Sequence, residues 1–278
     1  MQYPTSLARV IEKLNRAKHH IERLQTLADG FRSENRDAVA REDNTQTGQV
    51  VYRVDRIPQI PPDFPYVFGD AIQNLIGTLD YLTCELIIAA GNKPCSDTTF
   101  PIADSAQGYW DRLGGKIKGM RPEAIEEINR FRPYKGGFGH DLWALSKLNN
   151  IAKHRRLVTM AFAPVGRSLT RSEKGQFSTS QARIDPDRGR VDLSKIMILF
   201  QSGSGSIVEA GKVLLTVPPS EAQENMRFVF DIAINESAVE NGYIAALFAG
   251  IMEDRVENIV SAMGPFLCGG QEKSFPPS

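Results

Sequence analysis

The stretch that decides the fold is Asp141-Leu-Trp-Ala-Leu-Ser-Lys-Leu-Asn-Asn-Ile-Ala-Lys-His-Arg-Arg156, followed at once by Leu157-Val-Thr-Met-Ala-Phe-Ala-Pro-Val165. Leu142, Leu145, Leu148 and Ala152 recur at helical spacing, so 141–156 reads as a helix opened by Asp141 and buried on one face. From Leu157 the period changes to a short apolar, β-rich run. The chain therefore passes from helices to strands at Asn149–Arg156.

Upstream of that junction the pattern is mainly helical. Leu7, Val10, Leu14, Ala17, Ile21, Leu24 and Ala28 form a heptad seam, with Thr5 or Ser6 to cap it and Gly30 to end it. His19 and His20 flank the seam as surface residues. Val50–Ile57 reads as a strand, and the prolines at 58, 61, 62 and 65 as an extended connector. A second long helix from about Pro65 to Ala90 carries Phe68, Ala71, Ile72, Leu75, Leu79, Leu82 and Leu86 on its buried face. Asp70, Asn74, Tyr81 and Glu85 mark one polar flank; Gln73, Asp80 and Cys84 mark the other. Shorter helices follow Asp104 and Pro122, the latter ending near Phe131. Lys135-Gly-Gly-Phe-Gly139 lacks the Gly-Lys-Ser/Thr ending of a phosphate loop and reads as a flexible linker.

Downstream, Ile196–Gln201, Gly211–Val217 and Arg227–Ile234 complete a small antiparallel sheet with 157–165, and 166–190 reads as a polar loop. A final helix spans about Ser237 to Met263. The expectation is an α+β protein in one domain, 1–268: an antiparallel helical bundle with a small antiparallel β-sheet inserted before the last long helix. A disordered tail, 269–278, would follow.

The 278 residues carry a formal net charge of zero, which gives no global attraction to nucleic acid or an anionic membrane. The distribution is uneven. Between Ser146 and Arg190 there are ten Lys/Arg and three acids, while between Pro218 and Gly264 there are eight acids and two Arg. The plainest expectation is that the two segments offset each other across the fold. Cys84, Cys95 and Cys268 show no paired spacing and the four histidines are scattered, so neither a disulfide framework nor a metal site is expected. No signal peptide or membrane span is evident, which makes the cytoplasm the default. No cofactor is implied.

Chemistry concentrates in Asn149–Arg156. Asn149 falls on the buried face and requires a polar neighbour. Asn150 and His154, four apart, share a face with Trp143 and Lys147. Lys153, Arg155 and Arg156 surround the histidine. One reading gives His154 the part of general acid or base, with the cations holding a phosphate. The other gives the basic residues a helix C-terminus to neutralise.

Gly69-Asp-Ala-Ile-Gln-Asn-Leu-Ile-Gly-Thr-Leu-Asp-Tyr-Leu82, with Leu148-Asn-Asn-Ile-Ala-Lys-His-Arg155, resembles a widespread set of uncharacterised bacterial proteins. Their pattern is Gly-Asp-x-x-x-Asn-Leu-Arg-x-x-Leu-Asp-x-Leu, then Lys-His-Arg at the end of a later helix. Asn74 and Asp80 fall on its Asn and Asp; Ile76 stands in place of its Arg. More distantly the chain resembles the HEPN superfamily of helical bundles, many of them metal-independent ribonucleases of toxin–antitoxin and phage-defence systems. Their hallmark, Arg-Asn-x-x-x-His, is usually completed in a dimer. Asn150 and His154 match its last part, and Asn149 stands at its Arg, so Lys153, Arg155 or Arg156 would supply the cation.

The resemblance implies RNA as partner, a homodimer, and catalysis by His154 and Asn150 or, in a catalytically degenerate member, binding of RNA or a partner without cleavage. Lys153, Arg155 and Arg156 would bind substrate, with Asn149, Asn74 and Asp80 in support. The alternatives are a non-catalytic interaction protein, suggested by the heptad seam, and a small-molecule enzyme using Asp80, Glu85 or His154. If the second and fourth helices pack together, Asp80 lies near the Lys153–Arg156 cluster.

Overall fold

The heptad seam of the first helix is buried along its length: Val10, Leu14, Ala17, Ile21, Leu24 and Ala28 are each at most 3% exposed. The computed structural model describes residues 5–154, 157–174, 197–199, 208–224, 226–239 and 243–267. The tail from 268, with Cys268, and most of the expected polar loop, 175–190, fall outside these residues.

Helix α1 spans Thr5–Glu34 and runs through Gly30 rather than stopping there. Phe31, 2% exposed, gives the reason. Burying its ring is worth about 1.5–3 kcal/mol, against about 1 kcal/mol for a mid-helix glycine. Helix α2, Phe64–Ala89, follows the proline connector and buries its expected apolar face. Helices α3 (Ala106–Lys116), α4 (Pro122–Arg130) and α5 (His140–His154) come next. The last long helix, α6, spans Ala245–Leu267 and packs on α1 and α2, while α5 packs on α2. It begins later than the sequence suggests, because the Glu236 carboxylate is buried as an acceptor for Thr159 N–H and holds the preceding turn back at the sheet.

The expected single sheet is two three-stranded antiparallel sheets among the described residues. In the first, β1 (Val39–Asn44) and β2 (Gln49–Val54) form a hairpin, and β2 pairs with β5 (Val213–Val217). In the second, β3 (Met160–Ser168) lies between β4 (Met197–Leu199) and β6 (Phe228–Ile234). Strand β1 was not legible as a strand. It is an edge strand with Arg41, Glu42 and Asp43 exposed, the composition that protects an open edge. Its turn is set by Asn44, whose side chain accepts from the N–H groups of Gln46 and Thr47, and by Gly48 at φ 66°.

The Lys135–Gly139 loop is packed, contrary to its reading as a linker. A Cβ at Gly137 would lie 2.4 Å from the Arg132 carbonyl oxygen, and one at Gly139 would lie 2.7 Å from that of Phe131. Helix α5 leaves this turn with Asp141 in its first turn, not before it. One Asp141 oxygen accepts from Leu142 N–H and the other from Arg255 of α6.

One hydrophobic cluster runs from α1 through both sheets to α6. Ion pairs tie its layers together. Lys18 of α1 reaches Glu257 and Glu253 of α6, and Arg32 of α1 meets the buried Asp231 of β6. Burial pushes the Asp231 carboxyl up, against the pull of Ile232 N–H and Arg32. The acidic segment 218–264 is therefore met partly by α1, rather than only by the basic segment.

Candidate functional site

Asp80 sits on the flank of α2 that faces α5. After α2 the chain turns at Gly91, φ 82°, and returns through 98–104 alongside that flank. Phe100, 3% exposed, anchors the return, and its backbone N–H donates to Asp80 Oδ1 at 2.9 Å. Ser105 then caps α3 by accepting from Gly108 N–H. Arg112 and Lys116, one turn apart on α3, line the same space as Asp80.

Helix α5 supplies the opposite wall: Trp143, Ser146, Lys147, Asn149, Asn150 and Lys153. The cleft between α2, the 98–104 return, α3 and α5 holds about 360 Å³, within the range of small-ligand sites. Four cations and two carboxylates line it.

One carboxylate is committed. Asp104 Oδ1 accepts from Lys147 Nζ at 2.6 Å and from Trp143 Nε1 at 2.7 Å. The Lys147 bond first, then the Trp143 bond, hold its carboxyl below the usual range. Lys135 lies over the Trp143 ring, 4.8 Å from its centroid.

The remaining groups are perturbed by burial. Burial pushes the Asp80 carboxyl up, while Phe100 N–H, Lys153 and Lys116 pull it back. Burial pushes the Lys116 ammonium down, opposed by Asp80 and reinforced by Arg112. Lys116 Nζ donates to Thr99 Oγ1 at 3.1 Å. Shifts of a carboxyl and an ammonium towards their neutral forms, in one cleft, are the pattern of sites that handle protons. Arg112 and Lys153 form no ion pair among the described residues.

Asn149 is the most unusual member. It is 3% exposed, and its Oδ1 is buried without a hydrogen-bond partner. A buried polar atom left unpaired costs about 1–3 kcal/mol, so such atoms are few. The polar neighbour expected for Asn149 is not met at Oδ1 among the described residues, although the residue lines the cleft.

Of the residues singled out in the sequence, Asp80, Asn149, Asn150 and Lys153 thus meet at one cleft, and Asp80 feels the charge of Lys153. Asn74 does not join them: its Nδ2 donates to the Asp70 carbonyl within α2. His154 closes α5, while its side chain and residues Arg155 and Arg156 lie outside what the structure describes. Glu85 is elsewhere, 3.8 Å from Arg9 and buried, not on an exposed flank. Sequence reasoning missed Arg112, Lys116 and Thr99. The spacing of the two cations on a Ser-capped helix was a visible signal, but nothing in it pointed across to α5. Among the described residues no three His, Cys, Asp or Glu side chains group as a metal site would need.

No helix of the described residues is long and apolar enough to cross a membrane. No protein-family model matches the chain, and neither a curated protein nor a solved structure shows significant similarity to it.

Proposed function

We propose that this chain is a HEPN-like protein that holds RNA in the cleft between α2, α3 and α5. The observation that carries this reading is the convergence of Arg112, Lys116 and Lys153 on a cleft whose wall also contains the unpaired Asn149 acceptor. The cations suit phosphates, and a buried acceptor suits a donor such as a ribose 2′-hydroxyl or a base amino group. Metal-free cleavage would need a base for that hydroxyl and cations at the phosphate. His154, the last residue of α5, and Asn150, one turn before it, are the residues the resemblance assigns to that step.

The test is fluorescence anisotropy of a labelled single-stranded RNA between about 50 and 200 mM salt. Arg112→Ala with Lys153→Ala should weaken binding and lower the salt slope by about 1.4, at about 0.7 for each phosphate no longer neutralised. Cleavage is read on gels in the presence of a chelator, with His154→Ala as the inactive control. No RNA binding at the lowest salt overturns the proposal.

A second reading, self-association, is favoured by one strip of surface. Leu247 and Ile251, one turn apart on α6, are 58% and 48% exposed. Phe138, 68% exposed, lies 5.1 Å beneath Arg255, one turn further along. Light scattering across protein concentrations tests it. A dimer that Ile251→Glu dissociates supports the reading, and a monomer throughout removes it.

A further inference from the structure

A second groove lies on the other flank of α2. Arg9, Lys13 and Arg16, spaced along one face of α1, line about 370 Å³ together with Glu12 of the same helix and Tyr81 of α2. Lys13 and Arg16 have no carboxylate partner among the described residues, and Arg9 has only Glu85 at 3.8 Å. Tyr81 is 43% exposed.

The two sites share a wall. Asp80 lines the cleft and Tyr81 lines the groove, and consecutive residues on a helix are about 100° apart. Between the flanks runs the outer ridge of α2, where Gln73 is exposed and Gly77 and Cys84 are half-buried. Gly77 keeps this ridge low. A Cβ there would lie 3.0 Å from Lys13 Cε and 3.7 Å from its Nζ, so the Lys13 side chain lies against the bare backbone one turn before Tyr81. A helix with its side chains is on the order of 10 Å across, so a single strand reaches from one flank to the other within a few nucleotides.

We propose that single-stranded RNA seated in the cleft continues over the α2 ridge at Gly77 into the α1 groove, with phosphates on Lys13 and Arg16 and a base stacked on Tyr81. Cations alternating with an exposed aromatic ring are what single-strand binding uses: charge tracks the backbone and the ring receives a base of any identity. The inference rests on the RNA-binding reading of the cleft and extends it to a strand path and to single-stranded substrates.

The experiment compares labelled oligouridines of about 4 and about 12 nucleotides by anisotropy, lengths within the span of single-strand sites. Lys13→Ala with Arg16→Ala should weaken the long oligonucleotide about tenfold, lower its salt slope by about 1.4, and leave the short one unchanged. Tyr81→Ala should weaken the long one by about tenfold, the range of one missing base stack. All three positions are at least partly exposed, and circular dichroism checks that the variants fold. Unchanged affinity in both variants, with Arg112→Ala plus Lys153→Ala still impaired, overturns the path while the cleft keeps its RNA. A duplex of the same length bound as tightly as the single strand also overturns it, since paired bases cannot stack on Tyr81. Absence of RNA binding by the wild-type protein removes both readings together.

Discussion

Replacing Asn149 by Leu should make the protein more stable and a poorer binder. Its Oδ1 is buried with no partner, and an unpaired buried polar atom costs about 1–3 kcal/mol. Leu is close in size and presents no polar atom to the neighbouring Leu145 and Leu148, both fully buried. Tight packing opposes part of the gain, since an extra methyl in a filled core costs about 1–3 kcal/mol. The expected net gain is about 1 kcal/mol, or a rise in Tm of about 2–4 °C for a chain of this size. Urea unfolding followed by tryptophan fluorescence reads it, because Trp143 lies in the wall of the same cleft. Asn149→Ala separates relief of the polar atom from overpacking; it should fall within about 1 kcal/mol of wild type, a small cavity offsetting the relief. On the RNA-binding proposal, affinity for RNA should drop in both variants. Destabilisation of both by more than about 2 kcal/mol would refute the reasoning, for it would mean that Oδ1 is paired in the folded protein.

Two further outcomes follow from ionisation. Burial holds the Asp80 carboxyl above its ordinary 3.8, so its contribution to stability is present below that value and lost as pH rises through the folded one. Asp80→Asn keeps an acceptor for Phe100 N–H and should be more stable than wild type at pH 7, an advantage that disappears near pH 4 in urea titrations; an advantage that grows in acid would contradict this. Glu173 behaves oppositely. Its two bonds to Arg167 and one from Thr170 N–H take its carboxyl from 4.5 to about 2, so its contribution is present above 4.5 and lost as pH falls through about 2. Glu173→Gln should be less stable at neutral pH, with the gap closing between those values. A gap independent of pH would show that the loss is steric.

The helical spacing of Leu142, Leu145 and Leu148, the heptad seam of α1 and the apolar face of α2 all determined their burial, because a 3.6-residue period and a dry face are one property. The strands 157–165, 211–217 and 227–234 were visible for the same kind of reason, to within a few residues at each end. The hairpin partner β1 was hidden, since a charged edge strand carries no apolar alternation. The sequence by itself also singled out Asn149, Asn150, Lys153 and Asp80. It could not determine that they share a cleft with Arg112 and Lys116. That juxtaposition depends on the return of 98–104 along α2, held by the bond from Phe100 N–H to Asp80, and on the packing of α5 against α2. Charges on separate elements, from 32 positions apart (Asp80 and Arg112) to 73 (Asp80 and Lys153), have no spacing signal linking them; only tertiary packing brings their fields into one low-dielectric space, where burial shifts Asp80 and Lys116 and leaves Asn149 unpaired.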